Sequence, residues 1–211
     1  MSAAPALLFC DIESTGLRPD EPILEVGLRT TDANLNTLAE ASWVMPYSGA
    51  DLTGLRDRAV PFVQEMHDAS GLWKECESVG WATCFNRRVR IRAEIVQWIR
   101  DNAPGRLPLA GSSVRQDRIW LTHLAPELDT ESLIHYRIVD VSSVRILAHL
   151  WHPRLLDAEP TGQGKHRVMP DLDDSIELLR YYRAHLFVAE DPGPGADGDA
   201  IPATMPLGGA A

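Results

Sequence analysis

Five residues of this chain combine types and spacings that could hold a cation beside a proton acceptor. Asp11 and Glu13 stand one residue apart in "LLFCDIESTG" (residues 7–16), at the end of an apolar run. In a strand, residues i and i+2 share a face, so both carboxylates would converge on one spot. Two such groups repel, and one takes up a proton unless a cation sits between them. A bare Asp-x-Glu is as readily a pair of solvated strand-end acids. Asp117, in "SSVRQDRIWL", falls on the first turn of an expected helix, where a carboxylate also serves as a plain partner for the helix dipole. His166 and Asp171 stand five apart in "GKHRVMPD", and Pro170 suits the first turn of a last helix. A lone His before a helix is commonly a cap or a surface group. What singles these residues out is their order: acids on a first strand, an Asp on a mid-chain helix, then His and Asp at the last helix.

The elements that must position them can be read from pattern. Residues 6–12 look like a buried strand, and "EPILEVGLRTTDANLNTLAEASWVM" (21–45) like two more, joined by a hairpin at "TDANLNTL". Ser14-Thr15-Gly16 lets the first strand turn sharply. Residues 86–102 space Val89, Ile95, Val96 and Ile99 as a helix does. "RLPLAG" (106–111) reads as a short strand, after which Ser112 or Ser113 is expected to cap a helix to about Leu124. "YRIVDVSS" is a strand ending near Asp140, a structural acid beside the site, and "SVRILAHLW" is the helix behind it. A last helix spans roughly Pro170 to Leu186. Hairpin first and strand–helix alternation afterwards imply an α/β fold with a mixed sheet flanked by helices.

The 211 residues suffice for one domain, expected at 5–188. From 189 onward Pro, Gly, Ala and acids replace any apolar period, so 189–211 reads as a disordered acidic tail. The net charge of −10 includes four tail acids and no tail base, leaving −6 on the domain. That sign is wrong for gripping long DNA or RNA by phosphate neutralisation. It does not forbid nucleotide chemistry, since bound cations reverse the local field. Cys10, Cys76 and Cys84 have no metal-binding spacing and read as reduced thiols. Neither a signal peptide nor a membrane span is expected, which places the chain in the cytoplasm. Arg87, Arg88, Arg90 and Arg92 read as the solvated face of a helix.

Taken together, the segments "DIESTGLRPDEPILEVGLRTTDANLNTLAE", "MHDASGL", "SSVRQDRIWL", "HYRIVDVSSVRILA" and "HRVMPDLDDSIELLRYYRAH" resemble the oligoribonuclease family over residues 7–187. That family lies in the DEDDh branch of the 3′–5′ exonucleases, so the resemblance implies a ribonuclease H-like fold with a five-stranded sheet. It implies hydrolysis of very short RNA, dinucleotides above all, with two Mg²⁺ or Mn²⁺ ions roughly 4 Å apart serving both the attacking and the leaving oxygen. Asp11 would bridge the ions, Glu13 and Asp171 would hold the one on the nucleophile's side, and Asp117 would steady the other through water. His166 would be the general base, an imidazole being able to take a proton from water near neutral pH.

The resemblance also implies a substrate pocket. Leu17 would wedge between two bases, Phe62 would stack a base where relatives usually carry Trp, and His67 would line the same pocket. Ser113, Arg137 and Ser142 would cap the 5′-phosphate, and Tyr136 would cross a homodimer interface. Leu17 and Phe62 fit ordinary core packing equally well. Family members usually carry an Asp where this chain has Pro170, and Asp173 and Asp174 rival Asp171 as ligands. Two other readings compete: a proofreading-type DNA exonuclease acting on longer strands, and a non-catalytic binding module. The matched cap residues disfavour the first, and the intact acids and His disfavour the second.

Overall fold

The computed structural model describes residues 3–78 and 80–187, so the tail expected at 189–211 lies outside the described residues. Along the chain the strands are β1 (Leu7–Ser14), β2 (Ile23–Thr31), β3 (Thr37–Val44), the two-residue β4 (Tyr47–Ser48) and β5 (Glu77–Ser78), β6 (Leu109–Gly111) and β7 (Ile138–Asp140). The helices are α1 (Gly49–Arg58), α2 (Pro61–Ala69), α3 (Leu72–Cys76), α4 (Trp81–Asn102), α5 (Arg115–Leu124), α6 (Glu127–Thr130), α7 (Val141–Trp151) and α8 (Val168–Leu186).

The rest of the fold is assembled on β1. It pairs antiparallel with β2 on one side and parallel with β6 on the other, in a five-stranded sheet ordered β3-β2-β1-β6-β7. The β2–β3 hairpin forms as the sequence suggests, because the Asp32 carboxylate accepts the Asn34 and Asn36 N–H groups at 2.8 and 2.9 Å and closes the turn. Alternation along β1 divides the core. Leu8, Cys10 and Ile12 pack with Ile95 and Ile99 of α4 and Leu121 of α5, whereas Phe9 packs with Leu172, Ile176 and Leu179 of α8. Asp11 and Glu13 follow Phe9 at two-residue steps, so they face α8.

Three boundaries differ from the pattern reading. Helix α4 begins at Trp81 and buries Ile91, Ile95, Val96 and Ile99, while Val89 is 53% exposed. Neither Ser112 nor Ser113 caps α5: its N-cap is Val114, without a side-chain bond. Gly111 (φ 151°) and Ser113 (φ 55°) turn the chain away before the helix starts. A Cβ on Gly111 would stand 2.7 Å from the Cys10 carbonyl oxygen, so this tight junction of β6 with β1 requires glycine. Helix α8 starts at Val168, two residues before Pro170, which still lies in the first turn, where no intrahelical N–H is needed. Arg88 and Arg92 of the expected basic face are engaged, Arg88 with the Pro46 carbonyl (2.7 Å) and Arg92 with Glu127. No helix of the described residues is long and apolar enough to cross a membrane.

Candidate active site

The site is built where the end of β1 meets the heads of α5 and α8. Strand β6 stops at Gly111 and pairs only with Leu8 and Phe9 of β1, so the Ile12 N–H has no strand partner on that edge. Asp117, in the first turn of α5, accepts this N–H at 2.9 Å and fastens the helix to the strand. Across the sheet Asp11 stands opposite Gly27 and Glu13 opposite Glu25. Gly27 leaves room for α8: a Cβ there would lie 2.6 Å from the Val168 Cβ. That close approach brings Asp171 of α8 towards β1.

The outcome is a cluster in which one ligand atom each from Glu13, His166 and Asp171 lies within 4.8 Å of the others. Asp11 lies beside it and, with Asp171, lines a cavity of about 590 Å³ that Ser112, Ser175 and Arg145 also border. Of the rival acids, Asp173 pairs with Arg29 at 2.5 Å and Asp174 accepts the Gln163 N–H at 2.7 Å. Asp171 alone of the three joins Glu13 and His166.

Burial, with repulsion from neighbouring acids, raises the pKa of Asp11, Glu13, Asp117 and Asp171. Asp11 is pushed well above the ordinary carboxylate range by burial, then by Asp117, Glu13 and Asp171. Glu13 rises to about 8, through burial and then Asp171 and Glu25, with Arg167 opposing. Asp117 rises to about 7 by burial, against the stabilising Ile12 N–H. Burial lifts Asp171 to about 6. Oxygen donors held this close, at a cost to their own ionisation, are what a hard divalent cation requires.

A larger cavity, about 930 Å³, is lined by Glu13 and runs past Leu17, Phe62, Val63 and Trp120. Leu17 is 83% exposed and Phe62 66% exposed, so neither is core packing. Phe62 meets the His166 ring edge-on, with centroids 6.4 Å apart. His67, expected in the pocket wall, is fully buried instead. Its Nε2–H donates to the Ser14 carbonyl at 3.0 Å, and its Nδ1 is buried without a hydrogen-bond partner among the described residues. The backbone that carries Glu13 is thereby held from beneath. Burial also holds the His67 imidazole below its usual pKa.

Ser113 and Ser142 come together, their hydroxyls 3.2 Å apart, with the Asp140 carboxylate accepting the N–H of both. Arg137 precedes β7 while Ser142 follows it, and the Arg137 guanidinium lies over the Tyr136 ring at 5.3 Å. Tyr136 is 61% exposed and stacks on His135.

Comparison with known proteins gives this geometry a family. No family model matches the chain. Oligoribonucleases do match along most of it. The Streptomyces griseus protein is 38% identical over 193 residues, 90% of each chain, and that of Escherichia coli K12 is 37% identical over 182 residues, 85% of this chain and 94% of its own. The chain belongs to the oligoribonuclease family. It is therefore a nuclease, a hydrolase of nucleic acid. Among solved structures it is similar to E. coli exonuclease I in a zinc-bound complex with single-stranded DNA, with a TM-score of 0.61 and 14% identity. That likeness covers 88% of this chain but only 41% of the longer exonuclease, and it establishes the ribonuclease H-like fold.

One ion-pair cluster next to these residues is not marked by any motif in the sequence. Glu25, nearly buried on β2, accepts two hydrogen bonds from Arg167 at 2.8 and 2.9 Å, and Arg167 gives two more to Glu75 of α3 at 2.9 and 2.8 Å. The signal was present, since Glu25 is a lone charge in the otherwise apolar "PILEVGL".

Proposed function

We propose that this member of the family is a 3′–5′ exoribonuclease that hydrolyses very short single-stranded RNA, dinucleotides above all, to 5′-mononucleotides. The observation that carries this reading is the convergence of Glu13, His166 and Asp171, with Asp11 and Asp117 beside them, next to a cavity walled by Leu17 and Phe62. Asp11, Glu13, Asp117 and Asp171 would hold two Mg²⁺ or Mn²⁺ ions. When bound, such ions supply charge stabilisation and orientation for an in-line displacement.

The protein's own groups have separate tasks. His166 accepts a proton from the attacking water as that oxygen bonds to phosphorus. The P–O3′ bond breaks, the 3′-oxygen of the preceding nucleotide leaves and takes up a proton from solvent, and the released nucleotide keeps the 5′-phosphate. Phe62 stacks a base and Leu17 separates it from its neighbour; such stacking contributes roughly 1–3 kcal/mol per base and tolerates any sequence. Ser113 and Ser142 receive the 5′-phosphate with Arg137, whose fork of N–H donors suits phosphate. Such a cap closes the groove to longer chains.

The site is assigned to a domain at 5–188 in a cytoplasmic homodimer. Ile146, Leu150 and Trp151 of α7 are 59–69% exposed, an apolar face suited to a second copy, and Tyr136 would reach across that interface. The three free, buried cysteines suit a reducing compartment. The test is a rate series on 5′-phosphorylated RNA of two to seven nucleotides and matching DNA. The dinucleotide should be the fastest substrate. Rates independent of length, or higher on DNA, would favour the proofreading-type exonuclease instead.

A further inference from the structure

We propose that Arg167 is a positioning residue for His166, its guanidinium clamped between Glu25 and Glu75 so that the turn carrying the imidazole keeps one conformation. This rests on the reading of His166 as general base.

His166 has φ 49°, in the left-handed region that non-glycine residues enter at a cost. Something must hold it there. On its N-terminal side the chain is "TGQGK" (161–165), with Gly164 also at positive φ (59°), and this segment supplies little stiffness. The restraint comes from the other side. Arg167, the N-cap of α8, gives four hydrogen bonds of 2.8–2.9 Å to two carboxylates on two separate elements. The Val168 N–H adds a longer contact to Glu25 at 3.4 Å.

The choice of anchors gives the clamp its meaning. Glu25 is the cross-strand partner of Glu13, so the clamp ties the imidazole to the same ladder that carries an acid of the cluster. Glu75 lies on α3, whose Trp73 meets His67 edge-on at 5.5 Å, and His67 holds the Ser14 carbonyl. The turn is thus braced against both β2 and α3. A planar fork can satisfy two carboxylates at once; an ammonium in its place keeps the charge but not that geometry.

The experiment measures kcat and KM on a 5′-phosphorylated diribonucleotide with Mn²⁺ for Arg167→Lys and Glu75→Gln, each alone and in a His166→Ala background. Backbone hydrogen exchange over residues 164–168 is followed in the metal-free proteins. Glu75 is half exposed, so Glu75→Gln loosens the clamp without stranding a buried charge and serves if Arg167→Lys does not fold. In the presence of His166, kcat should fall roughly 10- to 100-fold for Arg167→Lys and less for Glu75→Gln, with KM within about twofold. In the His166→Ala background neither change should lower the residual rate further. Exchange at 164–168 should accelerate in Glu75→Gln. Unchanged kcat, equal losses in both backgrounds, or unchanged exchange would overturn the proposal. Wild-type turnover by His166→Ala itself would instead remove the general-base reading, and this proposal with it.

Discussion

Gly27 and Val168 touch where β2 meets the head of α8, and a single added methyl at position 27 would come within 2.6 Å of the Val168 Cβ and 2.8 Å of its Cγ2. Because α8 carries Asp171 three residues further on, this contact sets how near that acid stands to β1. Gly27→Ala should force α8 outward. Overpacking of this kind costs about 1–3 kcal/mol, readable as a lower urea midpoint. It should also raise the Mn²⁺ concentration needed for half-maximal activity. Full stability with unchanged metal dependence would show that α8 does not rely on this approach.

The raised carboxyl groups give the metal-free protein a distinctive pH response. Protonation of Glu13 (about 8), Asp117 (about 7) and Asp171 (about 6) is favoured in the fold relative to the unfolded chain. The native state therefore binds more protons across this range, so stability falls as pH rises from about 4 to about 8. His67, whose imidazole is held below its usual pKa, contributes in the opposite sense near pH 6.5, so the reading is the difference from Glu13→Gln, which keeps His67: the chelated wild type should lose Tm relative to that variant as pH rises, and the increase in Tm produced by Mn²⁺ should grow with pH. A wild type that gains stability relative to Glu13→Gln up to pH 8 would contradict the assignment of these shifts.

Asp140 serves two purposes at once, capping α7 through the Ser142 N–H (3.1 Å) and holding the Ser113 N–H (2.9 Å). Asp140→Ala should cost about 0.5–2 kcal/mol as a lost helix cap. With the two serines released, KM for a 5′-phosphorylated dinucleotide should rise while kcat changes little. Removing the 5′-phosphate from the substrate should erase most of the difference between variant and wild type. A difference that persists on the unphosphorylated substrate would place Ser113 and Ser142 away from the phosphate.

Sequence pattern went far with the sheet and with the acids, for a physical reason. Strand alternation puts Asp11 and Glu13 on one face whatever surrounds them, and α8 starts within two residues of where Pro170 suggested. What local pattern did not disclose depends on contacts between distant elements. The resemblance implies a place for His67 in the substrate pocket, yet the side chain is fully out of solvent and bonds the Ser14 carbonyl instead. The Ser112-Ser113 pair has good capping chemistry, but the backbone at Gly111 and Ser113 points Ser113 to Asp140 instead. Arg167 makes its partners across 142 and 92 residues of chain, a separation no local period reports.

His166→Ala should preserve Mn²⁺ affinity and substrate binding within a few-fold, because the four carboxylates and the Leu17–Phe62 cavity remain. Loss of a general base typically costs 10²–10⁴-fold in rate, a range read from single-turnover cleavage of labelled diribonucleotide. Binding by the inactive variant, followed by calorimetry, separates this role from a structural one. Near-normal turnover would show that another group takes the proton.

The most direct test of the account is the metal dependence of diribonucleotide cleavage by chelated protein, titrated with Mn²⁺ for the wild type, Asp11→Asn and Asp171→Asn. The account requires no turnover without metal, saturable activation of the wild type, and a loss in both variants accompanied by weaker Mn²⁺ binding in calorimetry. Turnover that survives chelation, or variants that match the wild type in rate and Mn²⁺ affinity, would contradict it.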